Sequence, residues 1–258
     1  ACAPHVAVVG GGPAGLMAAE RLAAGGLQVH VYDGMPSVGR KFLLAGKGGL
    51  NLTHGEPLPD FIARYGAQAG AVGRWLAAFG PQQVRDWAAG LGVETFVGSS
   101  GRVFPADMKA APLLRAWLHR LRAAGVALHM RHRWVGWADG AAGGVPGLVF
   151  QTPDGQRTVQ ADAVVLALGG ASWPQLGSDG AWVPLLAQRG VELAPLAPAN
   201  CGFDVSTPAG RQAGQALGWS PHLAERCAGE PLKGVALSHT GADGRTWRQL
   251  GECVLTQT

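Results

Sequence analysis

Short apolar runs that stop at glycine alternate along this chain with stretches of helical periodicity. Val6-Ala7-Val8-Val9 is apolar throughout and ends at Gly10, the pattern of a strand covered on both faces. Residues 16–24 read as a helix, and Gln28-Val29-His30-Val31-Tyr32 as a second strand closing on Asp33. Residues 57–92 predict helix, with Trp75, Leu76, Phe79, Val84, Trp87 and Leu91 on apolar faces. Gly98-Ser99-Ser100-Gly101 reads as a turn before a short strand at 102–105. Residues 109–124 predict an amphipathic helix that buries Leu113, Leu114, Trp117, Leu118 and Leu121. Strands are expected at 126–130 and 134–137, and a hairpin around Pro153-Asp154-Gly155. A further buried strand, residues 163–168, runs into Gly169-Gly170, and a helix is expected over 180–189. Beyond Val191 the texture changes to prolines and short β-like stretches at 235–238 and 253–256. The expected organisation is an α/β domain at 1–190 and a partial β-rich domain at 191–258.

The first of these glycine stops carries chemistry. Gly10, Gly12 and Gly15 are spaced G-x-G-x-x-G between strand and helix. Gly10 permits the tight turn, Gly12 lets the backbone approach a pyrophosphate, and Gly15 lets the helix pack closely on the sheet. The first N–H groups of the helix, from Ala14 onward, sit at the positive end of its dipole and suit phosphate. Pro13 is tolerated there because its missing N–H would have had no partner. Asp33 is placed to accept ribose hydroxyls, and its charge would repel a 2′-phosphate. In a chain of 41 glycines the spacing alone is weak; strand, helix, second strand and terminal acid together describe a dinucleotide-binding βαβ unit. FAD and NAD are not distinguished by it.

Composition narrows the class. The 258 residues are 47% apolar and 15% charged, which suits a packed α/β protein and excludes disorder. Net charge is +4. Arg115, His119, Arg120 and Arg122, with Arg131, His132 and Arg133 nearby, could touch RNA, but a solvated helix face and strand end is the preferred reading. Residues 34–56 are read as a long glycine-rich loop whose Arg40, Lys41 and Lys47 favour anion contact. The four cysteines form no C-x-x-C, so no metal site is expected and the thiols are expected to be reduced, in the cytoplasm. No run approaches the ~20 apolar residues of a membrane span, and no signal segment is read at the N-terminus.

The strand ending at Ala167 and followed by Gly169 and Gly170, after a hairpin, is the order in which FAD proteins bring a second strand end to the nucleotide. The segments Gly39-Arg40-Lys41, Gly46-Lys47-Gly48-Gly49-Leu50-Asn51-Leu52-Thr53, Gly101-Arg102-Val103-Phe104-Pro105 and the run 166–180 resemble the BaiN-like NAD(P)/FAD-dependent oxidoreductases, bacterial flavoproteins. That resemblance implies a Rossmann-like FAD-binding domain of the glutathione-reductase type with an inserted β-barrel. It implies that the tail at 251–258 lies inside the barrel, so that the chain is expected to be truncated at its C-terminus. It departs from the family at Gly49-Leu50-Asn51, where Arg-Cys-Asn is usual, so a thiol proton donor is missing, and at Leu168, where threonine is usual.

Together these readings nominate Gly10, Gly12, Pro13, Ala14, Gly15, Asp33, Gly39, Arg40, Lys41, Asn51, Trp134, Ala167, Gly169 and Gly170 for the cofactor. Lys47, Asn51, Arg102 and Lys109 are catalytic candidates only as polar groups in motif loops. The expected activity is FAD-dependent oxidation–reduction of an unsaturated or carbonyl small molecule. NAD(P)H would dock transiently as donor, since the sequence carries a single G-x-G-x-x-G. The alternatives are a flavin-dependent ribosomal RNA uridine reductase, which the missing cysteine counts against, and a non-catalytic dinucleotide-binding protein.

Overall fold

The structure, a computed structural model, describes residues 3–46, 48–138, 145–197, 220–241 and 243–256. The chain divides into two compact units, Ala1–Leu196 and Ala197–Thr258.

The first unit begins with β1 (His5–Val9), α1 (Pro13–Ala24) and β2 (Gln28–Asp33). It continues through α2 (Arg40–Ala45), β3 (Thr53–His54), α3 (Leu58–Ala63), α4 (Ala69–Ala78), α5 (Pro81–Ala89), β4 (Thr95–Val97), β5 (Arg102–Pro105), α6 (Ala110–Ala123) and β6 (Ala127–Met130). It closes with β7 (Arg133–Trp137), β8 (Leu148–Thr152), β9 (Gly155–Val159), β10 (Ala163–Leu166) and α7 (Val183–Ala187).

The central sheet is parallel, in the order β10-β1-β2-β6. A parallel sheet needs cover on both faces, and the strand sequences supply it by alternation. Val8, Val29 and Val31 point to one face, where they pack with Leu16 of α1 and Leu114, Trp117 and Leu121 of α6. Ala7, Val9 and Tyr32 point to the other, where Trp134, Leu148 and Phe150 of the antiparallel β7-β8-β9 meander cover them. The apolar run Val6–Val9 of β1 is thus explained: both of its faces are interior.

Three expectations differ in detail. The stretch 57–92 is broken into α3, α4 and α5 by Gly66, at φ +53, and by Gly80-Pro81, where Gly80 N–H is bonded by Gln83 Oε1 at 3.0 Å. The presumed loop 34–56 contains α2, because Gly39 at φ +68 turns the chain and Phe42 then packs edge-on against Trp117. The helix expected over 180–189 shrinks to α7, bounded by Gly180 and Gly190, both at positive φ.

The second unit shows α8 (Pro221–Cys227), capped by Ser220 Oγ, and an antiparallel hairpin of β11 (Pro231–Thr240) and β12 (Thr246–Val254). Cys227 and Cys253 are free thiols; Cys2 and Cys201 lie outside the described residues. No described helix is long and apolar enough to cross a membrane.

Candidate functional site

A cleft of about 220 Å³ opens at the carboxyl ends of the parallel strands. It lies where β1 is flanked by β2 on one side and β10 on the other, the switch point at which open α/β sheets take their ligands. Its walls are residues 9–13, 32–35, 39–41, 132–134, 167–169 and 176–179, with Ser37, Ala181 and Trp182.

The glycine turn is shaped by three different constraints. A Cβ on Gly10, at φ +109, would stand 2.2 Å from Ala167 O, so the ends of β1 and β10 nearly touch. A Cβ on Gly15 would stand 1.8 Å from Gly10 O, so the helix rests on the turn itself. Gly12 is different: its φ is −79 and nothing lies within 4 Å of where its Cβ would be. No neighbour among the described residues demands a glycine there; a ligand approaching the backbone would. Gly12 is also the N-cap of α1, without a side-chain cap and without an acid in the first turn, so the first helical N–H groups remain available.

Asp33 closes β2 and clamps this turn. Its Oδ2 accepts the Gly11 N–H at 2.7 Å and its Oδ1 the Met35 N–H at 2.8 Å. Each carboxylate oxygen has a second lone pair for a ribose hydroxyl. Along the rim Lys41 Nζ donates to Ser172 Oγ at 2.6 Å, and Arg133 Nη2 donates to Asp179 Oδ2 at 2.6 Å. That bond from Arg133 holds the Asp179 carboxyl below the usual range. Four buried donors on residues that line the cleft have no partner among the described residues: Arg40 Nε, Ser178 Oγ, Trp134 Nε1 and Trp182 Nε1. An open helix N-terminus, a bare Gly12 and a carboxylate at the strand end fit the adenosine diphosphate half of a dinucleotide.

Behind Tyr32 lies a histidine cluster. His129 stacks on Tyr32 at 4.6 Å between ring centroids, and its Nε2 is 3.0 Å from His30 Nδ1. Burial first, then the neighbouring His30, lowers His129 to a pKa of about 4.

Of the residues nominated from sequence, Gly10, Gly12, Pro13, Asp33, Gly39, Arg40, Lys41, Trp134, Ala167 and Gly169 line the cleft. Ala14, Gly15, Gly170 and Asn51 do not line it. Asn51 falls between Leu50 and Leu52, whose N–H groups bond Met108 O and Val103 O, each at 2.9 Å. Arg102 lies on β5 opposite His54, and Lys109 is the N-cap of α6; neither lines the cleft. Lys47 lies outside the described residues. Leu50, where the family resemblance expects cysteine, is 3% exposed and packs with Ala88, Ala110 and Leu113.

Sequence reasoning passed over Tyr32, Met35, His132, Arg133, Ser178, Asp179 and Trp182, all on the cleft wall. It placed Arg133 in a solvated basic run; Arg133 is exposed and also paired with Asp179, and Arg120 from the same run is paired with Glu20 at 2.8 Å. The pairing partners are distant in sequence, so no local pattern pointed to them.

The chain is 31% identical over 197 residues to the 3-dehydro-bile acid delta(4,6)-reductase of Clostridium scindens, which covers 76% of this chain and 46% of that protein. It therefore spans about half the length of the curated relative it matches. A flavocytochrome c3 fumarate reductase superposes with a TM-score of 0.53 at 19% identity, over 73% of this chain and 40% of that one. The 3-ketosteroid-delta4-(5alpha)-dehydrogenase of Rhodococcus jostii RHA1 superposes with a TM-score of 0.50 at 19% identity, over 67% and 47%. At such identities the likeness is one of fold, the Rossmann-type FAD-binding fold. The family model for the HI0933-like protein Rossmann domain matches residues 4–249, nearly the whole of the chain, and the chain belongs to that family.

Proposed function

We propose that this chain holds FAD in the cleft and serves a flavin-dependent oxidoreductase that reduces an unsaturated or carbonyl group of a small molecule, with NAD(P)H as a transient donor. The observation that carries the reading is Gly12: a glycine with no steric need for one, at the uncapped N-terminus of α1 and facing the cleft. FAD, when bound, supplies hydride acceptance and delivery, and the protein supplies binding, orientation and electrostatics. The N–H groups opening α1 hold the pyrophosphate, Asp33 accepts from the ribose, and Arg40 and Lys41 offset the phosphate charge. Reduction as the direction of the chemistry is supported by the Clostridium scindens relative, which is named as a reductase.

The test is cofactor loading followed by anaerobic reduction. The chain should retain FAD in preference to FMN, because the recognised half is adenosine diphosphate. NADH or NADPH should then bleach the visible flavin band faster than light alone does. A protein that takes up no FAD refutes the reading; one that takes up FAD but is reduced by neither nicotinamide refutes the donor.

A further inference from the structure

Strand alternation gathers histidines on one face of the central sheet. His5 of β1 and His30 and Tyr32 of β2 share a face with Ala7 and Val9, and His129 of β6 is the register partner of Tyr32. The rings run together: centroids are 4.6 Å apart for His5 and His30, 5.1 Å for His30 and His129, and 4.6 Å for His129 and Tyr32. At Val9 and Tyr32 the meander covers this face with Trp134, Leu148 and Phe150. At the histidines the cover is incomplete. A pocket of about 310 Å³ opens there between the rings and residues 157–160 on the outer strand of the meander. It is separate from the dinucleotide cleft, although Tyr32 stands on the wall of both.

Apart from Tyr32, every ionisable group on the wall of this pocket is a base: three imidazoles and the Arg157 guanidinium. Arg157 is exposed and has no ion pair among the described residues. The Asp162 carboxylate accepts the His5 backbone N–H at 2.7 Å and does not line the pocket. His132, 5.5 Å from His129 between centroids, bonds Met130 O through Nδ1 at 2.8 Å and is likewise outside it. His30 Nδ1 and His129 Nε2 are 3.0 Å apart, so one ring donates to the other. The pair has room for one added proton, because a second would set N–H against N–H. Burial first, and then the neighbouring bases, hold both rings below the ordinary histidine value. An anion among them reverses the second of these effects. A metal ion is not matched in this way: no His, Cys, Asp or Glu group among the described residues is arranged to hold one.

We propose that this pocket is a second ligand site, which takes a small oxyanion, a phosphate or a carboxylate, against Arg157 and the His30–His129 pair, while that pair takes up one proton from solvent. The site lies outside the dinucleotide cleft and does not depend on the FAD reading.

The experiment is calorimetric titration with sulfate, standing in for phosphate, and with oxalate, with saturating FAD present and absent, at an ionic strength held constant with chloride. Both probes stay fully charged near neutral pH, so any proton taken up goes to the protein. Affinity should rise by up to about tenfold from about pH 7 to about pH 6, the linkage for one proton, and the heat should vary with the ionisation heat of the buffer. Arg157→Gln, at an exposed position, should weaken both anions by about 2–5-fold. The double variant His30→Gln/His129→Gln should bind without proton uptake; if it does not fold, the wild type and Arg157→Gln decide. No binding at the lower pH, binding without pH dependence, binding that Arg157→Gln leaves unchanged, or binding that FAD abolishes each overturns the proposal. A protein that binds the anions as expected and takes up no FAD refutes the FAD reading alone.

Discussion

Asp33 Oδ2 holds the Gly11 N–H at 2.7 Å, so the acid at the end of β2 is bonded to the middle of the glycine turn that follows β1. The carboxylate proposed to meet the ribose and the turn proposed to hold the pyrophosphate are thereby one structure. Position 33 therefore shapes the glycine turn.

Asp33→Ala removes the acceptors of both Gly11 and Met35 N–H groups. We expect about 3–6 kcal/mol of lost stability, from two hydrogen bonds to a charged group worth about 1.5–3 kcal/mol each, together with loss of FAD retention. Denaturant unfolding of the cofactor-free protein measures the first part. A variant as stable as the wild type would show that the turn does not depend on this clamp.

Gly12→Ala and Gly15→Ala should separate binding from folding. The methyl of Gly12→Ala meets nothing in the protein, so the melting temperature of the cofactor-free form should not change. FAD affinity should fall by about 10–100-fold, from one or two disturbed charge-assisted bonds to phosphate. Gly15→Ala places its methyl 1.8 Å from Gly10 O and should unseat α1, giving poor folding whether or not cofactor is present. Equal thermal behaviour of the two variants would contradict this division.

Glu20 joins three helices. It accepts from Trp117 Nε1 at 2.6 Å and Trp87 Nε1 at 3.1 Å, and pairs with Arg120 at 2.8 Å. Glu20→Ala leaves these indoles without an acceptor, and Trp117 is only 2% exposed. A loss of about 2–4 kcal/mol is expected from two orphaned buried donors, with Glu20→Gln intermediate. Chemical denaturation reads it, and an effect within experimental error would mean that water replaces the carboxylate.

The histidine cluster predicts acid sensitivity. His129 is brought down to a pKa of about 4 from 6.5, by burial first and then by His30, His132, Arg157 and His5. His30 is lowered by burial and by His5. A histidine held neutral in the folded state contributes stability that is complete above its unfolded pKa, here 6.5, and that is lost as pH falls toward 4. The groups facing His129 are Tyr32, His30 and His132, with Arg157 and His5 nearby. Thermal melts across that range should fall less steeply for His129→Gln than for the wild type. Parallel curves would remove the cluster from the acid response.

The opening βαβ unit was legible because its signals are local. Gly15 meets a constraint within the turn itself, against Gly10 O, and the apolar run of β1 reports directly that both faces are buried. The polar loop residues Asn51, Arg102 and Lys109 were nominated by proximity to motifs, and motif membership does not say which way a segment faces. Leu50 shows this, with its side chain in the core beside Leu113.

By itself the sequence determined the parallel α/β core, the glycine turn and the acid that closes β2, because periodicity and backbone sterics act over a few residues. Only the tertiary structure decided what else faces the cleft. Arg133 meets Asp179 across 46 positions of chain, and Ser178, Trp182 and Trp134 come from segments separated by the whole meander and β10. Whether a polar group is bonded, solvated or left with an unsatisfied donor depends on what packs against it. That is a property of chain segments brought together by folding, and no local spacing encodes it.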